Sequence, residues 1–126
     1  KINTSRLKVV PNAGMPSLIY FRNKSQKAGE FVSNNLPLGA MKGTKYLLKE
    51  IVYEKGDTLL LMSDGFAELE NKNKEQYGYP RIIEEFRSVA YKNSDAIVEH
   101  LKNSALQWIN GIEPDDDVTF VVIKIM

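Results

Sequence analysis

Carboxylates are the side chains of this sequence best placed to do chemistry. Ser63-Asp64-Gly65 closes an apolar run at 58–62, and Asp115-Asp116-Asp117 opens another at 118–125. If the two runs are antiparallel neighbours in a sheet, the end of one and the start of the other share a rim. Asp64 then meets an aspartate of the triple. Converging carboxylates repel each other unless a cation sits between them. Ligation by oxygen alone suits a hard ion such as Mg²⁺ or Mn²⁺. The plain alternative stays open: Asp-Gly is a common turn, and an acidic run is commonly a solvated loop.

Other chemistries lack their residues. Cysteine is absent, which excludes a thiol nucleophile, a disulfide framework and a zinc finger. A Ser-His-Asp triad would have to use His100, the one histidine. It falls on a helix flank between Ile97 and Leu101 and reads as a boundary residue. The 17 basic and 16 acidic side chains nearly cancel, against the basic excess of a nucleic-acid binder. A hydrophobic share of 43% in 126 residues supports one core and one domain rather than a disordered chain. The apolar runs are too short to span a bilayer, and no secretory signal is visible, so a cytoplasmic location is expected.

These carboxylates need elements to hold them. Residues 7–10 and 17–21 read as two strands of a hairpin joined across Pro11-Asn12-Ala13-Gly14-Met15-Pro16. Residues 30–33 suggest a short strand, and 34–43 an irregular segment. Residues 46–53 read as a strand, and Lys55-Gly56-Asp57 as a tight turn into the run 58–62. That run lacks polar alternation, so both of its faces are expected to be buried. A first helix is predicted from near Pro80, with Ile82, Ile83, Phe86, Val89 and Ala90 on one stripe. A second has Ser94 as N-cap, Asp95 in its first turn, and a stripe of Ile97, Val98, Leu101, Ala105, Trp108 and Ile109. It ends at Asn110-Gly111. Trp108 and the methionines are expected in the core, and Glu84, Glu85, Lys72 and Lys74 on solvated faces. The order of strands, helix pair and strand predicts an α+β fold, a mostly antiparallel sheet covered by two helices, with 58–62 and 118–125 paired at its centre.

A family pattern now emerges. Asn12-Ala13-Gly14-x-Pro16, Leu36-Pro37-Leu38-Gly39, Gly56-Asp57-x-Leu59-Leu60-Leu61, Ser63-Asp64-Gly65-x-x-Glu68, Tyr77-Gly78 and Asp116-Asp117-Val118-Thr119 follow one another in order. Together they resemble the SpoIIE/RsbU-type bacterial branch of the type 2C (PPM) metal-dependent protein serine/threonine phosphatases. Each motif alone is weak, but the series runs nearly end to end.

The resemblance implies a β-sandwich flanked by helices and a site with two Mn²⁺ or Mg²⁺ ions. By position, Asp64 and Asp116 are the metal ligands and catalytic residues, with Gly65 and Asp117 as neighbours of the site. The tripled aspartate leaves the second ligand uncertain by one residue. The resemblance further implies hydrolysis of a phosphorylated regulatory protein, such as an anti-sigma-factor antagonist, by a metal-activated water. It also implies a sensor domain upstream in the same polypeptide.

Two departures stand out. Met15 occupies a position where the family commonly has His. The family's opening Asp-x-x-Gly-His-Gly motif, whose Asp helps bridge the ions, does not precede Asn12. Residues 1–126 therefore resemble the C-terminal portion of one catalytic domain, roughly three-fifths of it. Such a portion is expected to be inactive alone and to self-associate through an uncovered sheet. The competing readings are a non-catalytic pseudo-phosphatase that binds a partner, and an α+β module whose acidic loops carry no function.

Overall fold

A computed structural model describes residues 5–9, 14–32, 35–46 and 49–126. The elements are β1 (Ser5–Val9), β2 (Leu18–Arg22), β3 (Lys27–Phe31), β4 (Lys49–Tyr53), β5 (Thr58–Met62), α1 (Asp64–Glu68), α2 (Gly78–Val89), α3 (Ser94–Ile109) and β6 (Phe120–Lys124). The order β3-β2-β5-β6 forms an antiparallel four-stranded sheet, and β1 pairs antiparallel with β4 as a separate ribbon. Among the described residues no helix is long and apolar enough to cross a membrane.

The expected α+β architecture is present. Ile19, Phe21, Leu60 and Met62 on one face of the sheet meet Ile82, Phe86 and Val89 of α2 and Ile97, Leu101, Ala105 and Ile109 of α3 in a single buried cluster. Burying each large apolar side chain stabilises the fold by about 1.5–3 kcal/mol. The helices hold this face because their apolar residues recur at helical spacing. Val98 is the exception to the stripe on α3, standing exposed. Ile51 and Leu59 are also buried but lie outside that cluster.

Strand β5 pairs with β6 in the predicted sense, from Thr58↔Lys124 to Met62↔Phe120. Burial follows expectation over most of β5, where Thr58, Leu59, Leu60 and Met62 are buried, and departs from it on β6. Leu61, Val121 and Ile123 are exposed, and β6 is an edge among the described strands rather than a central one. The described residues leave the outward face open around Leu61, Val121 and Ile123, whereas Leu59, two residues from Leu61 on the same side of β5, is buried.

The expected hairpin of 7–10 with 17–21 does not form. β1 takes β4 as partner, while β2 turns tightly at 23–26 and pairs with β3. The alternating Ile19 and Phe21 commit β2 to the helix-covered sheet, so the chain changes sheets between β1 and β2. Asn12 lies outside the described residues. The strand expected at 30–33 starts earlier, at Lys27, so that it can pair across this turn.

Asn93, not Ser94, caps α3: its side chain accepts from Ala96 N at 2.8 Å. The Asn carbonyl oxygen reaches the third helical amide as well as a Ser hydroxyl would, and Ser94 becomes the first helical residue. α3 ends as expected, with Asn110 in the left-handed conformation. Of the methionines, Met62 is buried, while Met15, Met41 and Met126 are exposed.

Candidate active site

The rim where β5 ends and β6 begins brings the two acidic motifs together. β5 runs directly into α1, a short helix that the sequence pattern does not reveal, and Asp64 is its first residue. Apolar burial explains this helix, since Phe66 is fully buried and stacks on Tyr77 and Phe120 at 5.5 and 5.2 Å between centroids. α1 thus anchors Asp64 through the core while leaving its carboxylate exposed.

Opposite it, the loop before β6 passes over Gly65. A Cβ on Gly65 would stand 2.6 Å from Asp117 O, closer than any side chain tolerates. Each aspartate orients itself on the backbone that follows it. Asp64 Oδ1 accepts from Gly65 N at 3.2 Å, and Asp116 Oδ1 accepts from Asp117 N at 2.7 Å. Asp115, Asp116 and Asp117 are all exposed.

Further acids flank Asp116. A cleft of about 120 Å³ is lined by Gly65, Glu68, Leu69, Glu70, Asp115 and Asp116, among others. Lys74 pairs with one of these lining acids. Its ion pair with Glu70 at 3.0 Å, reinforced by Asp115, raises its pKa above the ordinary lysine value. Tyr79 is half-buried on α2. Burial pushes its hydroxyl up, and Glu30, Asp64 and Glu68 push in the same direction. Glu68, which closes the Ser63-Asp64-Gly65-x-x-Glu68 motif, lies one turn after Asp64, the spacing that puts two side chains on one helix face.

The donor chemistry fits a hard cation, being all carboxylate. Yet no three acidic or histidine side chains among the described residues come together closely enough to hold a metal ion. The chain brings the Asp64 and Asp116 segments to one rim. His100 is elsewhere engaged, with Nε2 2.7 Å from Glu85 Oε2 between α3 and α2. Glu85 is accordingly half-buried rather than solvated, whereas Glu84 is exposed and pairs with Arg87. Trp108 is partly buried, donates to Leu69 O at 3.1 Å and lies under the Arg81 guanidinium. Met15 is exposed, and its thioether is a poor ligand for such an ion.

The fold is that of PP2C-type phosphatase domains. The PP2C domain of SpoIIE from Bacillus subtilis, solved with a fragment of its regulatory domain, superposes with a TM-score of 0.70 at 23% identity over 99% of this chain and 35% of that one. The RsbU and RsbW domains of a Mycobacterium tuberculosis protein give 0.70 at 20% identity, over 95% of this chain and 33% of that one. A manganese-presoaked Bacillus subtilis SpoIIE phosphatase domain gives 0.66 at 15% identity, over 98% and 56%. The chain thus spans between 33% and 56% of these relatives. No curated protein matches it significantly. The family pattern of Stage II sporulation protein E (SpoIIE) matches residues 2–126, and the chain belongs to that family.

Proposed function

We propose that residues 1–126 are the C-terminal portion of a metal-dependent phosphoserine/phosphothreonine phosphatase domain. The observation that carries this reading is the meeting of the Asp64 and Asp117 segments at one rim, where the loop backbone leaves no room for a side chain on Gly65. Family membership supports the same reading. Asp64 and Asp116 are the ligands for Mn²⁺ or Mg²⁺, and Gly65 and Asp117 shape the ground between them. When bound, a pair of such ions supplies a water activated for attack on phosphorus and offsets charge on the phosphoryl oxygens. The exposure of both aspartates leaves the rim open to a phosphorylated side chain of another protein.

The substrate class is a phosphorylated bacterial regulatory protein, of which an anti-sigma-factor antagonist is an example. A sensor domain in the same polypeptide would control access, in the cytoplasm. Nucleic acid is not a partner on this reading, given the balance of 17 basic and 16 acidic residues. The 126-residue chain alone is expected to turn over little or no substrate. Two aspartates can hold an ion that keeps several waters, but they do not fix two ions at the roughly 3.5–4 Å typical of such pairs.

One observation favours the competing reading, a non-catalytic interaction domain: among the described residues no third acid joins the site. The test uses the complete domain with a generic phosphoester. Hydrolysis that requires Mn²⁺ or Mg²⁺, stops in EDTA and is lost in a folded Asp64→Asn variant supports the phosphatase. Full activity in EDTA, or wild-type rates in the variant, excludes it.

A further inference from the structure

We infer that Ser63 is a positioning residue that fixes the distance between the Asp64 and Asp116 carboxylates, a role that rests on the phosphatase reading above. Ser63 is the N-cap of α1, yet its side chain makes no hydrogen bond to that helix. An N-cap serine ordinarily accepts from a helix amide. Here the hydroxyl instead donates to Asp117 O and accepts from Thr119 N, both at 3.0 Å.

The ladder explains why. The β5–β6 register ends at Met62↔Phe120, and its next step would pair Ser63 with Thr119. Half of that step is made: Ser63 N donates to Thr119 O at 2.8 Å. In an ordinary antiparallel pair the return bond would run from Thr119 N to the Ser63 carbonyl. That carbonyl belongs to an N-cap residue and is directed to the helix. The hydroxyl takes its place as acceptor, and its own proton goes to Asp117 O. The strand can therefore turn into a helix while the acidic loop stays attached to it.

Gly65 completes the latch from the other side. With no Cβ, it lets the Asp117 carbonyl settle against α1. Asp64 sits between these two contact points, and Asp116 immediately precedes the residue that they hold. Removing the hydroxyl would free the loop without touching either carboxylate. Residues that orient metal ligands typically change metal affinity by about 10–100-fold when mutated.

The experiment measures Mn²⁺ affinity of the complete domain by calorimetry, together with hydrogen exchange of the Thr119 amide in the metal-free protein. Ser63→Ala is expected to weaken Mn²⁺ binding about tenfold or more and to speed Thr119 exchange. Ser63→Thr, which keeps the hydroxyl, should restore both. Gly65→Ala should weaken binding by displacing the loop while leaving the hydroxyl in place. Mn²⁺ affinity within twofold of wild type in a folded Ser63→Ala protein would overturn the inference. Asp64→Asn separates the two failures. If it weakens Mn²⁺ binding and Ser63→Ala does not, the latch alone is wrong. If Asp64→Asn also leaves Mn²⁺ affinity unchanged, the metal reading falls and the latch with it.

Discussion

Arg22 Nη1 lies 2.8 Å from Asp57 Oδ2, tying β2 to the turn that feeds β5. The Asp57 side chain is only 4% exposed, and its carboxylate also accepts from Asn23 N at 2.9 Å and Glu54 N at 3.1 Å. The same Arg22 nitrogen donates to Val52 O on β4. One buried charge thus joins three stretches of chain, which gives a structural reason for the Gly56-Asp57 motif. Asp57→Ala strands these donors and is expected to cost about 3 kcal/mol. Urea denaturation should show the lower midpoint, and a loss below about 0.5 kcal/mol would mean that the pair is solvated in solution.

The outward face of β5 and β6 predicts association. Leu61, Val121 and Ile123 stand exposed beside an edge strand. Such a surface favours pairing with another chain. Light scattering on the purified 126-residue chain is expected to report dimers or larger species at micromolar concentration. Val121→Lys should shift it toward monomer while changing stability by no more than about 0.5 kcal/mol. A strictly monomeric wild-type chain would contradict this.

Alkaline stability should carry the mark of Tyr77. Burial pushes its hydroxyl above the ordinary tyrosine value, only partly opposed by the bond with Ser104. The folded state keeps this proton over a range where the unfolded chain has lost it, so stability falls as pH rises beyond about 10. Lys124 acts in the opposite sense at lower pH. Burial depresses its pKa, so stability rises with pH until the unfolded lysine has titrated near about 10.5. Denaturation of Tyr77→Phe beside wild type isolates the first effect. The wild type should lose more stability than the variant between pH 10 and 11, as an order-of-magnitude window. Parallel curves would refute the assignment.

Much of this arrangement is legible in residues of strong local pattern. The α2 and α3 stripes state a helix and its buried face. The apolar runs of β5 and β6, each beside an aspartate, place Asp64 and Asp116 at one rim as soon as the strands are antiparallel. Other features depend on partners far away in sequence. Nothing in Leu7-Lys8-Val9-Val10 distinguishes β4 from β2 as its neighbour, and the choice is made by which sheet buries Ile19 and Phe21. The five-residue α1 carries too few positions to show a period and is fixed by Phe66 in the core. The partner of the Ser63 hydroxyl lies 54 residues on. Apolar composition likewise cannot show that Val121 and Ile123 of β6 are exposed.

The central claim is that Asp64 and Asp116 serve one metal centre. A double-mutant cycle on Mn²⁺ affinity of the complete domain tests it most directly, comparing Asp64→Asn, Asp116→Asn and the two together by calorimetry. Residues that act on a shared ion are strongly non-additive. Each single substitution should weaken binding by about tenfold or more, and the double should be little worse than the weaker single. Two independent losses that simply add, or single variants that bind Mn²⁺ as wild type does, would contradict the account.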